Sequence, residues 1–173
     1  IKENPSFSKL TGDDAMAAFR DTGYKLQIDQ QRQVLDNFGT HFDTWFSERT
    51  LYENDFFAHT LAKLKSLGHV YEEEGATWLR TTDFADDKDR VMIKSDGTFA
   101  YFASDSAYYV SKRERGFNLC IYMLGADHHG YVGRIKAIAA CAGDDPNKDI
   151  EILIGQMVKI MEGGVELKLS KRA

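Results

Sequence analysis

The residues with the greatest chemical capacity lie in a short segment at 125–130, Gly-Ala-Asp-His-His-Gly, which follows an unbroken apolar run at 119–124. Three interpretations are open. Asp127 could cap a helix and leave His128 and His129 partly exposed. Alternatively, the free amides of a helix N-terminus, together with an imidazole, could face a phosphate or a sugar. A zinc site is the third, although adjacent histidines point in different directions on a helix and no third ligand is evident.

A second pair, Tyr101 and Asp105, lies four residues apart, and we predict that it crosses from the end of a strand into the next helix. In the simplest interpretation Asp105 stabilises the helix N-terminus and Tyr101 packs in the sheet. The pattern alone does not require more than that.

The only basic cluster is at the end of the chain, at 166–173 (Glu-Leu-Lys-Leu-Ser-Lys-Arg-Ala). It could be a solvated tail, or a mobile cationic loop that gathers around the charge of a polyphosphate. The sequence has no phosphate loop of the Gly-x4-Gly-Lys-Ser/Thr type and no Gly-x-Gly-x-x-Gly motif. No Ser/His/Asp or Cys/His nucleophile system stands out from the spacing.

Composition limits the class of protein that must position these residues. The 173 residues are 43% hydrophobic and carry a net charge of −5, which excludes disorder as the main state and a uniformly basic surface for nucleic acid. No 18-residue apolar run predicts a membrane span, and no leader peptide is visible. Cys120 and Cys141 lack metal spacing, so we expect buried thiols in a reducing compartment. With no linker in the sequence, we predict one domain.

Periodicity predicts the elements that carry the candidate residues. For the first half of the chain we expect helical structure over 13–38, in which Gly23 and Gly39 are natural stops. We also expect a strand over 41–47, and a helix over 51–67 with a Thr50/Glu53 capping box. Two hairpins follow, over 69–82 and over 91–102. The second half predicts a helix over 105–115 capped by Ser104, a strand over 119–124 buried on both faces, a helix to about 142, and a strand over 150–154.

The alternation of helix and apolar strand after residue 104 is typical of a right-handed α/β crossover, so we predict an α/β fold with a parallel sheet. Ligands bind beyond the carboxyl ends of the strands in such sheets. The segment at 125–130 lies at one of these ends.

Several stretches of the sequence occur together in one known family. They are residues 45–49 with 51–52, residues 94–105 (Lys-Ser-Asp-Gly-Thr-Phe-Ala-Tyr-Phe-Ala-Ser-Asp), 114–117 (Glu-Arg-Gly-Phe), 125–131, and 165–173. The last resembles a Lys-Met-Ser-Lys loop, with Leu169 in place of Met. Taken together and in this order, the stretches resemble the arginyl-tRNA synthetases, which are class I aminoacyl-tRNA synthetases.

The resemblance implies the second half of a Rossmann-like, parallel-sheet nucleotide-binding domain with inserted β-hairpins and helices. It implies that residues 1–173 form a single partial domain, the C-terminal part of a synthetase catalytic domain that ends at the lysine loop. The family's His-x-Gly-His motif is absent from these residues, and we expect them to include no anticodon-binding domain. We therefore expect the chain alone to be inactive.

The resemblance also implies roles for individual residues. Asp105 would recognise the guanidinium of arginine, Tyr101 would line the same pocket, and Asp127 and His128 would approach the arginine or the ribose of ATP. The remaining roles concern ATP: the backbone of Met157 and Val158 would contact adenine, Lys168 and Lys171 would neutralise the leaving pyrophosphate, and Ser170 would shape the loop.

The implied activity is ATP-dependent activation of arginine to arginyl-adenylate, followed by transfer to tRNA(Arg), in the full-length parent. The expected ligands are arginine, tRNA(Arg), and ATP with Mg2+ as a substrate, without a prosthetic group or a protein metal site. We expect a cytoplasmic monomer that does not bind membranes. The alternative is a catalytically inactive α/β module that binds a nucleotide or another ligand.

Overall fold

The computed structural model describes residues 5–53, 55–156 and 158–167. Its helices are α1 (Gly12–Asn37), α2 (Arg49–Glu53), α3 (Phe56–Ser66), α4 (Tyr101–Glu114) and α5 (Val132–Cys141). Its strands are β1 (Val70–Glu73), β2 (Ala76–Leu79), β3 (Arg90–Ile93), β4 (Cys120–Gly125), β5 (Ile150–Gly155), β6 (Met161–Glu162) and β7 (Val165–Glu166). Short 3-10 turns cover Pro5–Lys9, Thr81–Phe84 and Ala126–Tyr131.

The chain divides into two compact units, one up to Phe46 and one from Ser47 onward. That residues 1–173 make one partial domain stays a prediction. In the first unit, α1 confirms the helix predicted over 13–38. Gly39, at φ +79°, follows its end, whereas Gly23 lies within the helix and does not stop it. The strand predicted over 41–47 is wrong, because this segment is irregular and Phe42 packs edge-on against Trp45.

The single helix predicted over 51–67 is wrong. Asp55 has the left-handed φ of 50°, which separates α2 from α3. Thr50 lies inside α2 and its hydroxyl donates to the Ser47 carbonyl (2.7 Å), so the predicted capping box does not form. The apolar stripe of the second part is confirmed at Phe57 and Leu64, which are buried.

Strands β1, β2 and β3 form an antiparallel sheet in that order. The first predicted hairpin is confirmed as β1–β2, and its turn residues Glu74 and Gly75 both have positive φ, as a tight hairpin turn requires. The second predicted hairpin forms only in part. Its turn at 95–97 is present, Ile93 bridges Phe99, and the backbone N–H groups of Lys94 and Ala100 donate to the carbonyls of Thr98 and Met92 (both 2.9 Å). The longer pairing of β3 is with β2.

Helix α4 starts at Tyr101, four residues before the predicted start, and takes the place of the second hairpin's returning strand. The predicted cap, Ser104, is buried inside the helix, and Ala100 occupies the N-cap position. The helical form buries Phe102, Ala103, Ser106, Ala107 and Val110 on one side. The recurrence of buried side chains every three or four residues favours a helix more strongly than the run of aromatic residues at 99–102 favours a strand.

The predicted parallel pairing is confirmed, since β4 and β5 run parallel from Cys120↔Ile150 to Gly125↔Gly155. Burial on both faces is not found. Cys120 and Ile150 are buried, but Ile121 and Met123 on the other face of β4 are 53% and 82% exposed. Cys120 and Cys141 are both buried and free, as predicted. Within the described ranges, no helix has the length and apolarity needed to cross a membrane.

Candidate functional site

A pocket of about 370 Å³ lies at the carboxyl end of β4, where α4, α5 and the 3-10 turn at Ala126–Tyr131 meet. It contains one carboxylate and four tyrosines. The residues that line it are Tyr101, Asp105, Tyr108, Tyr122, Leu124, His128, Tyr131, Ile135 and Ile138. Three of the sequence-predicted site residues, Tyr101, Asp105 and His128, are therefore brought together.

Element geometry explains why these side chains converge. Tyr101, Asp105 and Tyr108 are spaced at i, i+4 and i+7 on α4, so they share one face of the helix. Tyr122 and Leu124 alternate onto one face of β4. Because Tyr101 and Asp105 belong to the same helix, their predicted separation into strand and helix is corrected. Tyr101 is 94% exposed and marks the mouth of the pocket.

Asp105 is the acidic side chain of the pocket. Burial raises its pKa above the ordinary carboxyl value, and the negative charge of Glu48 adds to this, whereas Arg134 and Lys112 act in the opposite direction. No described residue donates a hydrogen bond to the carboxylate or lies within ion-pair distance of it. A carboxylate that has lost part of its hydration is stabilised by a cation placed against it.

Asp105 is not a helix-terminal charge. It is the fifth residue of α4, and the first turn of that helix contains no acidic residue. The favourable interaction with a helix dipole falls off within the first turn. The simplest interpretation from the sequence is therefore wrong in placing Asp105 at the helix start.

The 3-10 turn holds His128 in the pocket and Asp127 outside its lining. The His128 ring packs edge-on against Tyr131 at 5.9 Å, and its Nε2 lies 3.6 Å from Asp127 Oδ2. A Cβ at Gly125 would stand 2.5 Å from Asp127 Oδ1, so the glycine leaves room for this carboxylate. Asp127 caps no helix, because Tyr131 holds the N-cap of α5. Asp127 is therefore next to the lining residue His128 without lining the pocket itself.

The remaining candidate residues were assigned to ATP rather than to this pocket, and only one of them is among the described residues. Val158 is 85% exposed and is not among the lining residues. Met157 lies outside the described residues, as do Lys168, Ser170 and Lys171. Among the residues that the structure describes, no group of three histidine, cysteine or acidic side chains could hold a metal ion.

Sequence reasoning missed two features near these residues. Tyr108 and Tyr122 form much of the aromatic wall, and the spacing of Tyr108 three residues after Asp105 was a signal for it. The hairpin β6–β7, which turns at Gly163 and Gly164, comes just before Lys168. A Gly-Gly pair between two short extended runs is a hairpin signal.

The arrangement suits a flat cation. A carboxylate in a partly desolvated pocket with tyrosine walls can pair with a guanidinium, which also stacks well on aromatic faces. An ammonium group forms the pair as a point charge and lacks the planar, two-pronged geometry.

Comparison with known proteins agrees with this geometry. Residues 4–173 match the family model described as tRNA synthetases class I (R), catalytic domain. The chain is 50% identical over its full length to a protein named arginine–tRNA ligase from Renibacterium salmoninarum, and 50% identical over 169 residues to one from Frankia alni. It spans 31% of the length of each of these relatives.

Solved structures show the same fold. A Campylobacter jejuni protein described as an arginyl-tRNA synthetase matches with a TM-score of 0.84 at 35% identity, over 91% of this chain and 34% of its own. The Thermus thermophilus arginyl-tRNA synthetase matches with a TM-score of 0.65 at 15% identity, over 90% of this chain and 34% of its own, which supports the fold alone. The family match over nearly the whole chain settles the assignment: this chain belongs to the class I (R) tRNA synthetases, and it is a part of their catalytic domain with an α/β, Rossmann-like fold.

Proposed function

We propose that the full-length protein containing this chain is an arginine–tRNA ligase that uses ATP to activate arginine and then transfers it to tRNA(Arg). The observation that carries the proposal is Asp105 in an aromatic pocket at the carboxyl end of a parallel sheet, in a chain of this family. The location is where open α/β sheets bind their ligands.

In the proposed mechanism, Asp105 accepts hydrogen bonds from the guanidinium and Tyr101 covers it at the mouth. The arginine carboxylate then lies at the side of the 3-10 turn, near His128 and Asp127. There it attacks the α-phosphorus of ATP, the bond to the bridging oxygen breaks, and pyrophosphate leaves. The protein supplies mainly orientation and charge stabilisation.

The ATP contacts are proposed from the family resemblance. The backbone of Met157 and Val158 contacts adenine, Lys168 and Lys171 neutralise the leaving pyrophosphate, and Ser170 shapes their loop. Mg2+ arrives bound to the phosphates of ATP and keeps most of its water ligands, so it does not require a protein cage. We further propose that the enzyme works as a cytoplasmic monomer.

The test is ATP–pyrophosphate exchange by the full-length protein, with and without tRNA(Arg). We expect exchange with arginine and none above background with lysine or with citrulline, whose neutral urea group replaces the guanidinium. Exchange that does not depend on arginine would contradict the proposed substrate. A folded protein that binds ATP or arginine without exchange would instead support the inactive binding module.

The lysine loop gives a prediction of its own. Replacing Lys171 with alanine in the full-length protein should lower kcat by ~10²-fold, because the charge it meets develops on the leaving pyrophosphate. The arginine KM should change little, since an interaction made only in the transition state affects kcat and kcat/KM alike. Steady-state exchange kinetics measure both. An arginine KM that rises strongly while kcat is preserved would refute this role.

A further inference from the structure

A positive charge that the proposed mechanism does not use lies against the wall of the pocket. Lys112 follows Tyr108 by one helical turn on α4, and its Nζ lies 4.0 Å from the centre of the Tyr108 ring. The same Nζ lies 3.7 Å from the centre of the Tyr122 ring on β4. Both tyrosines line the pocket, whereas Lys112 does not. The ammonium group therefore sits against two of the four tyrosines of the pocket, on the side away from Tyr101 along α4.

The site of this ammonium group is unusual because no carboxylate neutralises it. Within the described part of the chain, no acidic side chain lies within ion-pair distance of Lys112. Its closest favourable contacts are the two ring faces, which attract cations without removing their charge. A ligand cation that enters the pocket consequently meets Asp105 first and a fixed positive charge beyond it.

The spacing along α4 gives the scale of the effect. Lys112 comes seven residues after Asp105, which corresponds to about 10 Å of helical rise. Two like charges at about this distance, in the effective dielectric near a protein surface, change an affinity by roughly 15-fold at low salt and by roughly threefold at about 0.1 M salt. The repulsion grows if the ligand cation moves further in.

We propose that Lys112 is a specificity-determining residue of the arginine pocket: its ammonium group, held against Tyr108 and Tyr122, repels a ligand cation from the inner end and limits how deeply a guanidinium can enter. The inference rests on the proposed function, since it takes arginine as the ligand. It predicts a pocket that is selective for side-chain length at some expense of affinity. Homoarginine, with one more methylene, would bring its guanidinium closer to Lys112.

The charge on Lys112 provides a readout that a structural role would not give. Burial lowers the pKa of Lys112 to about 8, and Arg115 lowers it as well, while Cys120 and Asp105 act in the opposite direction. Lys112 is thus charged below this pH and neutral above it. Arginine should bind more tightly as the pH rises through about 8, because the repelling charge is lost.

The experiment compares arginine dissociation constants of the full-length protein and its Lys112→Met and Lys112→Arg variants, from about pH 6.5 to about 9. The methionine keeps an unbranched side chain, one atom shorter, and removes the charge, whereas the arginine keeps a charge at every pH used. The ratio of wild-type to Met-variant constants cancels the titration of the ligand's own amino group. We expect a ratio between roughly three and roughly fifteen at the low end of the pH range, depending on the salt concentration, that falls towards one at the high end. The ratio of Arg-variant to Met-variant dissociation constants should not change with pH.

Homoarginine supplies the second measurement. The Met variant should discriminate less than the wild type between arginine and homoarginine. A Met variant that binds arginine no better than the wild type, or a ratio that does not change with pH, would overturn the inference. If the Met variant does not fold, the comparison of wild type with the Arg variant still tests the pH dependence. Failure of the wild type to bind arginine at any pH would instead contradict the proposed function.

Discussion

Replacing Asp105 with asparagine in the full-length protein is expected to lower kcat/KM for arginine by at least ~30-fold. The change preserves the shape of the side chain and removes its charge and one hydrogen-bond acceptor. Loss of one partner from a desolvated charge pair typically costs about 2–5 kcal/mol, because the other charge is left unpaired. The guanidinium would then face the aromatic wall without a counter-charge.

Two observations make Asp105 the residue for this test. It is the acidic side chain that lines the pocket, and the protein around it raises its pKa by withdrawing water. A raised carboxyl pKa means that the charged form is less stable in the empty pocket, so a bound cation restores the stability of the charged form. Binding of arginine should therefore weaken as the pH falls through the raised pKa of Asp105.

In the Asn variant, the KM for ATP should change far less than kcat/KM for arginine. A melting curve checks that the variant is folded. Asp13→Asn is the matched control, because Asp13 lies in the first turn of α1 and carries an ordinary helix-terminal charge. It should leave arginine kinetics unchanged. An unaltered kcat/KM for arginine in a well-folded Asp105→Asn variant would remove Asp105 from the site.

The α/β part of the fold was predictable because its signals are local and strong. The apolar runs at 119–124 and 150–154 became β4 and β5, with the carboxyl end of β4 at the pocket. The hairpin β1–β2 was predictable from a glycine turn between two strand-like runs. In each case a single periodicity and its terminating residues agree.

The failures occur where two local patterns compete. Residues 99–102 are aromatic and strand-like, yet they extend across the start of α4 because a helix buries Phe102, Ala103, Ser106 and Ala107 together. That choice depends on the surface that α4 packs against, which the local pattern does not contain. The same holds for Asp55, whose left-handed backbone divides one predicted helix into two.

The candidate site was predicted only as far as the family motifs extend. Tyr101, Asp105 and His128 do line one pocket. Asp127 does not line it. The adenine contacts of Met157 and Val158 and the roles of the lysine loop stay predictions. Tyr108, Tyr122 and Lys112 were missed because their contacts join α4 to β4 across the fold. No motif within α4 or within β4 indicates that these two elements contact each other there.

The helix that presents Asp105 is fixed at its other end by a partly buried ion pair, and breaking that pair should destabilise the domain strongly. Arg113 Nε and Nη2 each lie 3.0 Å from an oxygen of Asp144, and Tyr109 donates to the same carboxylate at 2.7 Å. Arg113 Nη1 donates to the carbonyls of Phe117 and Asn118 at 2.8 and 2.7 Å. One guanidinium thus ties α4 to the turn before β4 and to the loop before β5.

Replacing Arg113 with methionine is expected to lower the free energy of unfolding by about 3 kcal/mol, since a partly buried carboxylate loses its counter-charge and two carbonyls lose their donor. For a domain of this size, that corresponds to a fall of about 6–12 °C in the melting temperature. Calorimetry of the full-length protein measures this fall in melting temperature.

The matched control is Arg20→Met, because Arg20 pairs with Asp21 on the surface, where both side chains are more than half exposed. Surface pairs contribute about 0–1 kcal/mol, so this variant should melt like the wild type. Arg113→Lys, which keeps the charge but not the forked geometry, should fall between the two. An Arg113→Met variant that melts with the control would show that the ion pair does not hold α4 in place.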